Sequence, residues 1–164
     1  MVYKTVGMVR ESLRSTLTRR VLNLVPAYFG TGGRVTFIAD DWREVRVEVP
    51  LSLRTRNYVG TIFGGSMYGA IDPIYMLMLI QNLGPGYDVW DKSATIRFKR
   101  PGRTTLHARF LLTSEELRTI EAALATERSI DRVYQLELTD SRGVVHALVE
   151  KTLYIGKKRR EPKG

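Results

Sequence analysis

The sequence predicts an α+β domain in which antiparallel strands wrap a long buried helix. Three observations carry that expectation. From Met67 to Ile80 almost every side chain is apolar, whichever side of a helix it falls on. A helix that is apolar all round has to be buried all round. On either side of that run the apolar period is two, the spacing of strands with one wet and one dry face. Finally, 164 residues are enough for one domain with a full core, and neither a repeat nor a linker divides them. A helix from about Gly64 to Gly84 is roughly 30 Å long at 1.5 Å per residue, so the remaining chain must surround it.

The elements follow in order. Val9, Leu13, Leu17, Val21, Leu24 and Val25 recur at steps of four and three, one face of an N-terminal helix within residues 1–30. Arg10, Arg14, Arg19 and Arg20 lie off that face, and Pro26 and Gly30 end the helix. Its apolar face is expected to pack on its own domain; a basic helix on a membrane surface is the alternative. Val35, Phe37 and Ala39, the Asp40-Asp41 turn, and Val45, Val47 and Val49 make a hairpin that Pro50 closes. The loop from Leu51 to Arg56 leads to the central helix, placed at 64–83. After Gly84-Pro85-Gly86 the strand period returns at Ala94, Ile96 and Phe98. It resumes beyond the Pro101-Gly102 turn at Leu106, Ala108, Phe110 and Leu112. Thr113-Ser114-Glu115-Glu116 has the spacing of a capping box, so a helix follows to about Thr126. Strands near 131–139 and 144–156 flank the Asp140 to Gly143 turn. That makes about six strands in a single domain over 1–156, with Arg46, Glu48, Arg97, Arg109 and Glu137 on the far face or toward a partner. Residues 157–164 form a basic tail without apolar content, expected to be disordered.

Composition excludes several function classes. There is no cysteine, hence no disulfide, thiolate metal site or cysteine nucleophile. Two histidines, His107 and His146, are too few for a histidine metal cage, and ordinary strand positions account for them. The net charge of +9 sits at the ends: residues 1–20 and 157–164 each carry +4, leaving +1 for the body. Nucleic acid is therefore not expected as a partner. No apolar run reaches the ~18 residues of a membrane span and no secretion signal stands at the N-terminus. A cytoplasmic protein is expected, without a membrane partner.

The chemistry points to Asp72, the one charge inside the apolar run. Two readings stand. Asp-Pro is the signature of an N-cap followed by proline at the first helical position, with the helix starting at Asp72. Alternatively the helix starts near Gly64, Pro73 kinks it, and Asp72 is a carboxylate two turns inside an apolar rod. Such an acid is pushed up by desolvation and down by hydrogen bonds. Tyr68, Tyr75, Met76 and Met78 are expected to pack the helix.

Asn57-x-x-Gly60-x-x-Phe63-Gly64-Gly65, with Asp72 eight residues after Gly64, resembles the hotdog-fold acyl-CoA thioesterases of the phenylacetate-pathway (PaaI) kind. Their pattern is Asn-x-x-Gly-x-x-His-Gly-Gly with an acid at the same offset. Together with the preceding hairpin and the strand from Val89 to Phe98, the likeness covers about residues 20–155. It is closest to an uncharacterised-domain branch of that superfamily. The resemblance implies a hotdog fold and a homodimer or tetramer whose sheets join edge to edge, with an acyl-CoA or acyl-carrier thioester at the interface. It implies hydrolysis, with the Gly64 and Gly65 N–H groups holding the oxyanion at a helix N-terminus. Asn57 would polarise the same carbonyl, and Asp72 would activate water or attack directly. Asp91 and Ser93 stand just before a strand where related enzymes place a residue that helps hold the water. Arg97, Lys99, Arg100 and Arg103 surround a turn and suit either the phosphates of coenzyme A or a solvated hairpin. Coenzyme A enters as part of the substrate; no other cofactor and no metal is expected. Phe63 replaces the motif's histidine, which leaves a non-catalytic acyl-thioester sensor or scaffold as the alternative. A dehydratase on this fold would look to a histidine near the helix, and there is none.

Overall fold

The computed structural model describes residues 10–158. Val9 and the tail residues from Arg159 onward lie outside the described residues. Eleven elements follow one another: α1 (Leu13–Leu24), α2 (Pro26–Gly30), β1 (Arg34–Ile38), β2 (Glu44–Val49), α3 (Gly64–Ile71), α4 (Ile74–Leu83), β3 (Tyr87–Phe98), β4 (Leu106–Leu111), α5 (Ser114–Thr126), β5 (Ser129–Thr139) and β6 (Val145–Lys157). The six strands form one antiparallel sheet in the order β1-β2-β4-β5-β6-β3.

The sheet packs its apolar face on α3 and α4, as the period-two patterns require. Val45, Val47 and Val49, Leu106, Ala108 and Phe110, and Ala147, Val149, Leu153 and Ile155 meet Met67, Ile71, Ile74, Met78 and Leu79 in one core. Tyr75 stacks on Tyr134 at 4.4 Å and meets Phe110 edge-on at 5.1 Å, spacings at which aromatic pairs attract. Helix α5 closes one end with Ile120 and Leu124. Thr113 caps it, accepting from the Glu116 N–H at 3.0 Å. Glu116 does not reciprocate; its carboxylate accepts from Arg132 and Tyr134 instead.

Four expectations are corrected. The central helix does start at Gly64, but Pro73 divides it into α3 and α4 rather than only kinking it. Proline carries no N–H and clashes with the preceding turn, so the ladder stops and restarts. Strand β3, expected from Val89 to Phe98, begins two residues earlier at Tyr87, although the period-two alternation is visible only from Ala94. A bulge at Lys92 inverts the alternation there, which hides the first half from a period-two reading. Pro26 ends α1 by opening α2 as its first residue. Lys157, assigned to the tail, is the last residue of β6.

Helix α1 is turned round from expectation. Its polar side faces the domain: Ser15 is buried, and the Asn23 amide donates to the Val35 carbonyl and accepts from the Val35 N–H at 2.9 and 2.8 Å. Arg19 pairs with Glu11, which also accepts from the Ile38 N–H. The free edge of β1 is thereby covered by side chains, one of the ways proteins blunt an edge strand. The apolar stripe of α1 faces outward.

Candidate active site

Two separate places hold most of the residues singled out in the sequence. The first is a cleft of about 370 Å³ lined by Asn57, Thr61, Ile62, Gly64, Met67, Phe98, Lys99, Arg100 and Pro101. The sequence builds it from the polar loop before α3 and the turn after β3. The Asn57 side chain organises that loop, accepting from the Val59 and Thr61 N–H groups and donating to the Thr61 hydroxyl at 3.0 Å. Its carbonyl oxygen is thus engaged within the loop, and one amide hydrogen remains for a ligand. Helix α3 opens at Phe63 without a side-chain cap, which leaves its first N–H groups without a side-chain partner at the positive end, where Gly64 lines the cleft. A Cβ on Gly64 would come within 2.7 Å of the Phe98 ring tip; the ring lies over the helix end because the residue there has no side chain.

The second place is Asp72, eight residues or about 12 Å further along the rod. Its side chain is 43% exposed. The Tyr68 hydroxyl, one turn earlier, donates to Asp72 Oδ1 at 2.7 Å. Lys151 Nζ donates to the same oxygen at 2.9 Å and also to the Asp72 main-chain oxygen. That ammonium lies 2.9 Å from Asp91 Oδ1, an ion-pair distance off the angle of a hydrogen bond. Lys151 is fully buried. Burying an ammonium is costly unless it is paired and hydrogen-bonded, and two carboxylates and a freed carbonyl satisfy it. The carbonyl is free because it lies at the break between α3 and α4, where the ladder resumes with the Leu77 N–H on the Pro73 carbonyl. Asp72 Oδ2 accepts no hydrogen bond among the described residues.

Two shifts follow. Burial pushes the Tyr68 phenol well up, and its bond to Asp72 adds to this, so the phenol stays a donor. Burial also raises the Asp91 carboxyl above its ordinary value, against the pull of Lys151.

The sequence-derived candidates divide as follows. Asn57, Gly64, Lys99 and Arg100 share the cleft, with Gly65 next along the helix. Asp72 and Asp91 meet through Lys151. Ser93 pairs with Thr152; the bulge puts it on the face away from the row that Asp91 shares with Leu153. Arg97 lines a groove of about 420 Å³ on the outer face, with Glu137 and Glu150. Arg103 is exposed on the turn after β3. His107 lies 3.5 Å from Glu48 on the outer face, and His146 Nδ1 lies 3.1 Å from the Pro101 carbonyl. Tyr75 and Met78 are core, whereas Tyr68 joins the Asp72 cluster. Sequence reasoning missed Lys151, yet its signal was present. Ala147, Val149, Lys151, Leu153 and Ile155 form the inward row of β6, and one lysine interrupts it.

Among solved structures, a Pseudomonas aeruginosa protein of unknown function, described as a probable thioesterase, is similar at 20% identity. The match covers 90% of this chain and 99% of that one with a TM-score of 0.77. A Chlorobaculum tepidum protein of unknown function is similar at 13% identity, over 88% and 95% of the two chains, with a TM-score of 0.70. The thioesterase HI1161 of Haemophilus influenzae is similar at 16% identity, over 92% and 96%, with a TM-score of 0.65. No curated protein matches the chain. These likenesses establish the architecture, a helical rod wrapped by six antiparallel strands with an added N-terminal helix, which is the hotdog fold. A family model described as a domain of unknown function (DUF4442) matches residues 14–155, and the chain belongs to that family.

Proposed function

We propose that the chain hydrolyses acyl thioesters, of coenzyme A or of an acyl carrier, at a site built by two copies of itself. The observation that carries this reading is the Asp72 carboxylate. One oxygen is anchored by Tyr68 and Lys151 and the other is open to solvent, which suits a base that takes a proton from water. Within one chain that base is about 12 Å from the Gly64 helix end, too far to act on the same carbonyl. A two-fold axis removes the difficulty. The helix α3 runs alongside β3 with Gly64 near Phe98 and Asp72 near Asp91. β3 is a sheet edge. Pairing it antiparallel with a second β3 about an axis at Thr95, each Thr95 facing its own copy, sets each Phe98 end against the other copy's Asp91–Lys92 end.

In that arrangement the thioester carbonyl lies at the N-terminus of α3, its oxygen on the Gly64 and Gly65 N–H groups. Asp72 of the partner subunit takes a proton from water as the water oxygen bonds to the carbonyl carbon. Collapse of the oxyanion breaks the carbon–sulfur bond; the thiolate takes up the proton and leaves. Lys99 and Arg100, at the same cleft, suit phosphate groups of the leaving thiol. The test is thiol release over a panel of acyl-CoA substrates. Asp72→Ala is expected to lower kcat by at least a hundredfold, and mixing it with Gly64→Val should restore part of the activity through one intact site per mixed dimer. Unchanged activity in Asp72→Ala removes Asp72 from the mechanism.

A second reading, binding without turnover, is favoured by one observation: Phe63, apolar and exposed at the cleft-side helix end, offers no hydrogen bond where a histidine would. It predicts saturable binding of an acyl-CoA with no thiol released.

A further inference from the structure

The solvent face of α1 is apolar. Leu13, Leu17, Val21 and Leu24 share that face at four- and three-residue steps, Leu13 being 92% and Leu24 71% exposed, and Val25 and Phe29 continue it onto α2. The helix does not need this stripe to stay in place, because Ser15, Asn23 and the Arg19–Glu11 pair dock its other side. At about 100° per residue, Arg20 and Arg14 flank the stripe on its two sides, and both are exposed. The Arg54 guanidinium lies 4.0 Å over the Phe29 ring, which brings the exposed Leu53 alongside α2. Neither segment holds an acid: no Asp or Glu occurs between Glu11 and Asp40, or between Glu48 and Asp72. Among the described residues Arg14, Arg20 and Arg54 make no ion pair.

We propose that this surface docks on an anionic phospholipid bilayer, with the apolar stripe at the acyl boundary and the arginines among the phosphates. An apolar stripe rimmed by cations and free of carboxylates complements a surface of anionic headgroups over hydrocarbon. A second copy of the chain is the poorer fit, since a two-fold contact through this stripe sets the same arginines against each other. The pairing edge β3 is moreover at the opposite side of the sheet from β1, which α1 covers. An isolated helix of this length is marginal in water, but α1 is already ordered on the domain. The attachment is peripheral, because no helix among the described residues is long and apolar enough to cross a membrane.

The test is co-sedimentation of the full chain with vesicles of phosphatidylcholine alone and of phosphatidylcholine with about one-third phosphatidylglycerol. Retention is expected on the anionic vesicles and to weaken with salt. The double variant Leu17→Asp, Leu24→Asp should reduce it at least tenfold with an unchanged Tm. Arg14→Glu with Arg20→Glu should reduce it by about fivefold or more per arginine. A variant with Arg159, Arg160 and Lys163 changed to Gln should keep most of it. The proposal is overturned by absent retention on anionic vesicles, by retention that Leu17→Asp, Leu24→Asp leaves intact, or by retention lost only with the tail charges. It is also overturned if the leucine variant halves the mass in solution, since a second copy then covers the stripe.

Discussion

Asp91 and Glu44 are carboxyls whose surroundings shift them in opposite directions, and the cations beside them, Lys151 and Arg109, decide how far. Lys151 is the cation that lets Asp72 and Asp91 stand side by side, and it restrains the upward push of burial on Asp91. In Lys151→Met that restraint is gone and the Asp91 carboxyl climbs further. A carboxyl raised in the folded state contributes stability below its unfolded value, and that contribution is lost as pH rises through the raised value. The variant should therefore be destabilised more at pH 7 than at pH 4, by about 2 kcal/mol at neutrality because both carboxylates are partly solvated. Melting curves at the two pH values check this; equal losses would detach Lys151 from the acid pair. Its kcat should fall while KM changes little, because Asp72 loses its anchor and the cleft does not. Glu44, 3% exposed, behaves the other way. Hydrogen bonds from Arg109, and then Arg46, hold its carboxyl below the usual range against burial. That stability is present above pH 4.5 and is lost as pH falls through the lowered value. Glu44→Gln should cost about 1–2 kcal/mol at pH 7 and flatten the fall of Tm in acid.

Among the elements, α1 and the broken rod depart most from what their residues suggest. A stripe of leucines normally buries itself, but here a single asparagine makes the attachment. The Asn23 amide imitates the two bonds that a neighbouring strand would make to Val35. Asn23→Ala should lose about 1–2 kcal/mol, a Tm drop of about 2–8 °C for a chain of this size, whereas Leu17→Asp should leave Tm unchanged. The reverse order would mean that the stripe carries the packing. In the central rod, the carbonyl of Asp72 lies at the break between α3 and α4, where the ladder resumes only with the Leu77 N–H on the Pro73 carbonyl, and it is taken by Lys151 instead. Of the two sequence readings of Asp72, the N-cap reading fails: the helix begins at Gly64, Asp72 is the C-cap of α3, and its side chain caps no N–H.

At the scale of the molecule the sheet has two edges, and they are treated differently. Side chains of α1 and its preceding residues cover β1. β3 offers an unpaired edge with both faces exposed from Ser93 to Thr95, and Trp90 stands out beside it, stacked on Tyr154 at 4.1 Å. Such an edge is a template for a second strand. Thr95→Glu sets a carboxylate opposite Glu150, its register partner, and near its own copy across the axis. It should shift a dimer to monomer in sedimentation, with activity falling in parallel. A monomer that retains full activity would refute the shared site.

What the residues determined by themselves was local. The periods of two and 3.6, the glycine pair and the capping Thr113 placed nearly every element, and the Asn57 to Asp72 spacing pointed to both halves of the candidate site. Those signals depend on neighbours within a few positions, and the chain cannot rearrange them. Lys151 escaped notice because its meaning lies in a contact 79 residues away with Asp72, and the outward stripe of α1 because amphipathicity tells how a helix is divided but not which side it offers. Those two features, and the separation of Asp72 from Gly64, were decided only by tertiary packing. A buried ammonium needs anions wherever the fold brings them, and the helix settled with the face that could satisfy the open edge of β1.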